Sequence, residues 1–361
     1  MKIMLLGDTH IGARSDNQVV LDHFMSFYKN RFFPLLEEHK PDIVLQLGDL
    51  LDRRKFANFA TLDRMRKDFL NPIVNDFKIP LWILVGNHDT YFRNTLEVNG
   101  ISQSFSDLIA EGKIRLFDKP EETEAGLIIP WVCADNHDEA YKAVEASSSR
   151  FCFGHFELTG YDMYRGMPCE HGANPDFLGR FEQVYSGHFH THSRKRNICY
   201  VGTPYDIIWS DASDSKYVML LDTEADESFR ETWFENESKL HHKVMVDSSK
   251  ISRASLKDAD YSHLKEKFVK LIILNSDRPD VIELISKAIR SVEPTSFTIV
   301  DSTSLNSTDE IQALDKISHK DPLTALLDEI DLKFGAGSPK ANRLKGYANE
   351  IYTEALSGAF E

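Results

Sequence analysis

Lys2-Ile3-Met4-Leu5-Leu6-Gly7-Asp8-Thr9-His10 opens the chain with an apolar run, a glycine and two metal-binding residue types. The pattern recurs four times. Apolar residues 43–47 precede Gly48-Asp49-Leu50-Leu51-Asp52-Arg53, residues 81–85 precede Gly86-Asn87-His88-Asp89, 151–153 precede Gly154-His155, and 183–185 precede Gly187-His188-Phe189-His190. Runs this short, each stopped by glycine, read as buried strands. In an open α/β sheet the carboxyl ends of the strands converge on one crevice, so five such ends can pool their side chains there. A single Gly-His pair reads as a satisfied core histidine. Five strand ends carrying Asp, Asn and His supply the donors that divalent metals take.

The number of donors sets the number of ions. Asp8, His10, Asp49, Asn87, His155, His188 and His190 exceed one tetrahedral shell and suit two ions sharing a bridging carboxylate. Two ions about 3.5–4 Å apart clamp both oxygens of a phosphoryl displacement and ionise a water near neutral pH. No protein nucleophile is then needed. The sequence has no Gly-x-Ser-x-Gly elbow, no Walker-type Gly-Lys-Ser/Thr and no cysteine placed for attack.

As a set, these motifs resemble the calcineurin-like metallophosphoesterase superfamily over roughly the first 205 residues. Within it the chain is most similar to the nuclease subunits of SbcCD-type recombination complexes, the T-even-type bacteriophage branch in particular. That similarity rests on the opening segment 2–10, the Gly-Asp-Leu-Leu-Asp form of the second motif, and Tyr200-Val201-Gly202-Thr203-Pro204. The resemblance implies that Asp8, His10, Asp49 and His190 hold one ion and Asp49, Asn87, His155 and His188 the other, with Asp49 bridging. The histidine-rich donor set favours manganese, while magnesium stays open because Asp and Asn tolerate both. The resemblance further implies a DNA exonuclease or endonuclease of recombination, repair and replication. Such an enzyme acts on double- and single-stranded DNA with an SMC-like ATPase subunit, as a homodimer, in the host cytoplasm.

His88 is the catalytic candidate outside the ligand set, because it adjoins Asn87 and its ring can reach a phosphate lying across the metals. An imidazole there can protonate the departing oxygen, a step typically worth about 10²–10⁴-fold. Asp52 is the second catalytic candidate, and either Asp52 or Asp89 can orient the His88 ring as a carboxylate partner. Asp89 fits a structural turn role equally well.

A chain of 361 residues, 42% hydrophobic and 27% charged, predicts a soluble enzyme of two or three domains. No apolar run approaches the roughly 18 residues of a membrane span, and the 1–6 stretch is too short for a signal peptide. Cys133, Cys152, Cys169 and Cys199 show no paired spacing and read as free thiols of a reducing compartment. The net charge of −15 sits awkwardly with a DNA substrate. Metal ligands account for part of it, and basic clusters remain. Arg53-Arg54-Lys55 and Arg194-Lys195-Arg196 directly follow the second and fifth motifs and are the candidate DNA contacts; Arg64-Met65-Arg66-Lys67 reads equally well as a solvated helix face.

Between the motifs, residues 19–38 predict a helix capped by Ser15, Asp16 or Asn17 and kinked or ended by Pro34. Asn58 predicts the cap of a second helix with Phe59, Leu62, Met65, Phe69 and Ile73 on one face. The fold class is α/β: a layered metallophosphoesterase β-sandwich flanked by helices, spanning residues 1–247, with strands at 217–221 and 229–234 finishing a sheet. A compact βαβ-type pattern follows (268–274, 279–292, 296–300), and residues 248–305 are assigned to a small cap domain guiding DNA. Residues 306–361 read as a linker and helix-loop-helix. Leu323, Leu326, Leu327 and Ile330 draw one apolar stripe, and Leu344, Tyr347, Ala348, Ile351 and Ala355 a second beyond a Gly/Pro break. Two such short helices are not expected to bury their faces alone, and the resemblance assigns those faces to the ATPase partner.

Two other function classes compete. A small-substrate phosphodiesterase or phosphatase would share the metal site, but the phosphoprotein phosphatases of the superfamily carry Glu at the position of Asp89. A non-catalytic scaffold would not need all seven ligands and His88.

Overall fold

The computed structural model describes residues 1–252, 256 and 259–302. In the C-terminal stretch it describes 327, 330, 333–335, 338, 340–341 and 343–348. The chain builds a first sheet from β1 (Lys2–Leu6), β2 (Ile43–Gln46), β3 (Leu81–Leu84) and β4 (Ile114–Phe117). It crosses to a second through β5 (Glu121–Glu122), β6 (Leu127–Ile129) and β7 (Phe151–His155). A separate hairpin of β8 (Asp162–Tyr164) and β9 (Met167–Pro168) precedes β10 (Gln183–Gly187), β11 (Ser193–Lys195) and β12 (Ile198–Tyr200). Then β13 (Lys216–Asp222) and β14 (Glu231–Asn236) return to the first sheet.

The first sheet runs β14-β13-β1-β2-β3-β4 and the second β11-β12-β10-β7-β6-β5. Neighbours among β1 to β4 are parallel, as are β6 with β7, β7 with β10, and β10 with β12. Strand alternation assigns each face its partner. Ile3 and Leu5 join Leu45, Trp82, Leu84, Phe151, Phe153 and Tyr185 in a core shared by the two sheets. Met4 and Leu6 point the other way, to Phe24, Tyr28, Phe69 and Ile73 of the flanking helices. The outer face of the second sheet packs Cys152, Val184 and Tyr200 on Ala140 and Val144. This is a sheet-on-sheet sandwich with a helical layer outside each sheet, the expected layered α/β class.

The first flanking helix begins at Gln18, where Asn17 accepts from the amides of Val19 and Val20. Pro34 does not end it. The chain runs on through Tyr28–Phe32 as a widened turn, Phe33 donating back to Tyr28, and continues as Phe33–His39. The wide turn takes up the donor that proline lacks, so the helix absorbs the residue instead of stopping. Asn58 caps the second helix by accepting from Ala60 and Thr61. Met65, Phe69 and Ile73 are buried on its inner face, but Phe59 is 87% exposed and is no part of the core.

The chain divides into two compact units. One comprises Met1–Lys243, Tyr261–Lys270 and Ile289–Phe297; the other comprises Val244–Asp260, Leu271–Ala288 and Thr298–Glu361. Three of the five boundaries fall inside the strands β15 (His241–Asp247), β16 (Phe268–Asn275) and β17 (Ser296–Asp301) of a third sheet, and one falls inside the helix Pro279–Ser291. Its crossover helix Pro279–Ser291 buries Val281, Ile285 and Ile289 at helical spacing. Near the C-terminus, Ile330, Ala341 and Ala348 are buried together, with Leu327, Phe334 and Leu344 packed against them. The described parts of the two stripes therefore cover each other, contrary to the expectation that they cannot bury themselves. Tyr347 stays 56% exposed, while Leu323, Leu326 and Ile351 lie outside the described residues.

Candidate metal centre

Five strand ends deliver the seven expected ligands to one place. Asp8 and His10 follow β1, Asp49 follows β2, Asn87 follows β3, His155 ends β7, and His188 and His190 follow β10. The backbone is bent hard to do so. His10 (φ 42), Asp49 (φ 51) and His188 (φ 88) all take left-handed conformations that non-glycine residues avoid, strain of the kind that gathers at functional sites. Amides of Thr9 and His10 donate to the Asp49 carbonyl, fastening the first two strand ends together. Gly86 and Gly187 are required for contact. A Cβ on Gly86 would collide with the Asp49 amide, and one on Gly187 with the Leu47 carbonyl and the Asp8 carboxylate.

Two groups of donors result, one of Asp8, His10 and His190, the other of Asp49, His155 and His188. Asp49 reaches both, its Oδ2 lying 3.4 Å from His155 Nε2 and 3.7 Å from His10 Nε2. A third group of His10, Asp52 and His88 shares His10 with the first.

The donor atoms fit divalent cations. His155 Nδ1 lies 2.8 Å from the Leu47 carbonyl, so it carries the hydrogen, and Nε2 is left as a lone pair 2.9 Å from Asn87 Oδ1. Two acceptors this close repel each other unless positive charge lies between them. His188 Nδ1 faces the same Asn87 oxygen at 2.9 Å. His10 Nε2 and His190 Nε2 point at one another at 3.1 Å, and the Nδ1 atoms of both rings are buried without a hydrogen bond.

Protons meet the same demand in the absence of ions. Burial pushes the Asp8 carboxyl above its ordinary range, and Asp49 adds to the rise. Burial opposes charge on His10, but Asp52 and Asp49 outweigh it and lift the ring to about 9. His155 reaches about 9 against the same burial, carried chiefly by Asp49. Asp49, buried too, is held well below the carboxylate range by His155 and His88. His188, without so close a carboxylate, is pushed well below the histidine range by burial.

The carboxylates around the ligands divide differently from expectation. His88 Nδ1 lies 2.6 Å from the backbone carbonyl of Asp52, while the Asp52 carboxylate faces His10 Nδ1 at 3.4 Å. Asp52 thus orients His88 through its main chain and a ligand through its side chain. Asp89 is structural: its carboxylate accepts from the amides of Leu50, Leu51 and Gly86 and ties the second motif to the third. Burial, then the nearby Asp49, raises it to about 7.

Sequence reading missed Asp211, Lys216 and Glu157. Asp211 Oδ2 lies 3.7 Å from His190 Nδ1 and accepts from the amides of Ile207 and Ile208. Lys216, buried at the start of β13, places Nζ 3.0 Å from Asp211 Oδ1 and 2.9 Å from the His190 carbonyl. Glu157 Oε2 stands 3.9 Å from His188 Nε2. No local pattern marks these residues; only the tertiary fold brings them to the ligands.

The basic clusters are less free than charge counting implies. Arg194 is bound by both oxygens of Glu231, Lys195 donates to the Gly160 carbonyl, and Arg196 pairs with Asp176. Arg64 pairs with Asp22 and Asp68, Arg66 with Asp107 and Lys67 with Asp63. In the second-motif cluster, Arg53 pairs with Asp16 and Lys55 Nζ sits 5.4 Å over the Tyr91 ring. Arg54 is half-buried, beside Arg93 and within the field of Asp49. The four cysteines are buried and unpaired.

The sequence profile of the calcineurin-like phosphoesterase family matches residues 1–243, the span that carries all seven donors. The chain belongs to the calcineurin-like phosphoesterase family. It is also 29% identical to exonuclease subunit 1 of Enterobacteria phage T4 over 369 aligned residues, covering 98% of this chain and 99% of the relative. As a calcineurin-like phosphoesterase it is a metal-dependent phosphoester hydrolase. Among the described residues no helix is long and apolar enough to cross a membrane.

Proposed function

We propose that this phosphoesterase is a two-metal DNA nuclease, acting in recombination, repair and replication with an SMC-like ATPase subunit. One observation carries the reading. The segments that follow Asp49 and Asn87 expose Phe56 (69%), Phe59 (87%, at the start of the second helix), Tyr91 (42%) and Phe92 (48%) among Arg53, Arg54, Lys55 and Arg93. Exposed aromatic rings interleaved with cations suit the bases and phosphates of nucleic acid, and a small phosphoester has no use for them. The phage relative, named as a subunit of an exonuclease, supports both the polymer substrate and a partner.

When bound, two divalent ions, manganese in this reading, would neutralise the phosphodiester and lower the pKa of an attacking water. Asp8, His10, Asp49 and His190 would hold one ion and Asp49, Asn87, His155 and His188 the other. His88 handles the proton. Its Nδ1–H donates to the Asp52 carbonyl, which fixes the tautomer and leaves Nε2 for substrate. Burial holds the ring below the usual histidine range. An incoming phosphate favours protonation, and the imidazolium can then donate from Nε2 to the departing oxygen.

The domain reading attaches to this proposal: catalysis in 1–247, a DNA-guiding cap in 248–305, and a partner-binding helix pair in 306–361. Among the described residues of the stripes, Tyr347 is left open for the ATPase, and the helices of residues 18–39 and 59–76 offer a homodimer surface. A phage enzyme of this kind would work in the host cytoplasm. Purified chain with manganese should cleave linear duplex and single-stranded DNA. Hydrolysis of bis(p-nitrophenyl) phosphate without any DNA cleavage would favour a small-substrate phosphodiesterase instead.

A further inference from the structure

On the side of His188 away from Asn87 lies a cavity of about 200 Å³. Trp131 forms the wall it shares with the metal centre, its ring 5.1 Å from that of His188 and 5.9 Å from that of His155. The opposite wall is a column of rings. Phe177 stacks on Tyr141 at 4.5 Å and 14°, His137 stacks on the other face of Tyr141 at 4.3 Å, and Phe156 meets Phe177 edge-on. Trp131, Tyr141 and Phe177 are only half-buried, so their surfaces are not consumed by the core beneath. Glu157 is the acid among the lining residues, and no lysine or arginine lines the cavity.

We propose that this cavity is a nucleobase subsite, which receives the base of a nucleotide flanking the scissile phosphate. The proposal rests on the nuclease reading and names the part of the substrate that its centre recognises. Three features select the occupant. The Trp131 ring offers a flat face to a planar π-system, with the edges of the ring column beside it, and stacking of bases on such a face tolerates every base. The Glu157 carboxylate, with His137 and His171 but no lysine or arginine among the described lining residues, disfavours a phosphate and suits the exocyclic N–H groups of a base. Trp131 also borders His188 and His155 at 5.1 and 5.9 Å, so a base on it is close enough to belong to a nucleotide whose phosphate the centre would hold. A base in the cavity has left the stack, so the favoured substrate is an unpaired strand or strand end.

The test uses the full chain with manganese and single-stranded oligonucleotides carrying one abasic residue, placed on either side of the cleaved bond. At one of the two positions, loss of the base should lower kcat/KM about tenfold, the scale of one stacked base. Trp131→Ala should bring that ratio close to one, and Trp131→Phe should keep most of it. The ratio is taken within each variant, so partial loss of folded protein cancels. Equal cleavage of normal and abasic strands by the wild type, or an unchanged ratio in Trp131→Ala, overturns the subsite and leaves the nuclease reading intact. A wild type that hydrolyses bis(p-nitrophenyl) phosphate but no oligonucleotide overturns both.

Discussion

Asp211→Asn should separate the second layer of the centre from the ligands themselves. Asp211 and Lys216 form an ion pair with both side chains essentially inaccessible, 0% and 1% exposed, at 3.0 Å. Asparagine keeps the shape and can still accept from Ile207 and Ile208, but it leaves the Lys216 ammonium with the His190 carbonyl and with Asp214 at 4.0 Å. Breaking a buried pair by removing one partner costs about 3–5 kcal/mol, and urea unfolding should register a loss of that order. The carboxylate beside His190 Nδ1 is removed by the same change. Loss of such an outer partner typically weakens metal binding about 10–100-fold, which manganese titration followed by electron paramagnetic resonance measures. The double variant Asp211→Asn/Lys216→Met removes both charges and should recover most of the stability. It should not recover manganese affinity, because the carboxylate is still missing. Wild-type manganese affinity in Asp211→Asn would refute the positioning role, and a stability loss below about 1 kcal/mol would refute the buried-pair argument.

His88→Gln should retain manganese binding and lose about 10²–10⁴-fold in turnover, since the ring acts on the proton and not on the ions; a missing ion in elemental analysis would make His88 a ligand. His23 is buried and held down to about 4 against an ordinary 6.5, burial outweighing the attraction of Asp206. The stability this gives is complete above pH 6.5 and drains away as pH falls toward 4, so from pH 7 to 4.5 the wild type should lose about 2–3 kcal/mol more than His23→Gln; parallel pH curves would contradict it. Tyr347→Asp should abolish co-elution with the ATPase partner without lowering helix content in circular dichroism, because Tyr347 is exposed while Ile330, Ala341 and Ala348 form the contact between the stripes. Undiminished co-elution would place the partner elsewhere. Manganese at 100 times its dissociation constant should raise unfolding free energy by about 2.7 kcal/mol over the protein in chelator, and an unchanged midpoint would argue against a preformed site.

What could be read from the sequence was whatever chemistry is written locally. A strand, a glycine and a ligand occupy adjacent positions, so the strand ends bearing Asp8, Asp49, Asn87, His155 and His188 were recognisable before any tertiary contact was known. Caps are local as well, and Asn17 and Asn58 cap as their position suggests. Outcomes decided by partners distant in sequence were not legible. Arg194 looks like a free cation until Glu231, 37 residues away, claims it with both oxygens. The Asp52 carboxylate looks like a partner for His88 until the fold turns it to His10. Periodicity shows that Leu327 and Leu344 belong to apolar stripes but not that each stripe is covered by the other. Pro34 predicts a kink or an end, and local rules do not tell that the helix widens and runs on through it.

The same division explains why the ligands carry the strain. A donor at the first free position after a strand must turn sharply to face its neighbours, and His10, Asp49 and His188 all turn through left-handed conformations. Such residues cost on the order of 1–3 kcal/mol each, and they persist only where the surroundings over-determine them. Here the surroundings are the neighbouring strand ends: Asp49 accepts from Thr9 and His10 through its carbonyl, and Asp8 accepts from the His188 amide at 2.9 and 3.0 Å. Each strained residue is thereby locked by another motif, and the donors are set before any ion arrives. His155 Nε2 and Asn87 Oδ1, held 2.9 Å apart, call for positive charge between them, which a proton on the ring or a divalent cation supplies. A fold that pays this cost in advance binds its ions with little rearrangement, which keeps the positions of substrate and His88 fixed relative to the metals.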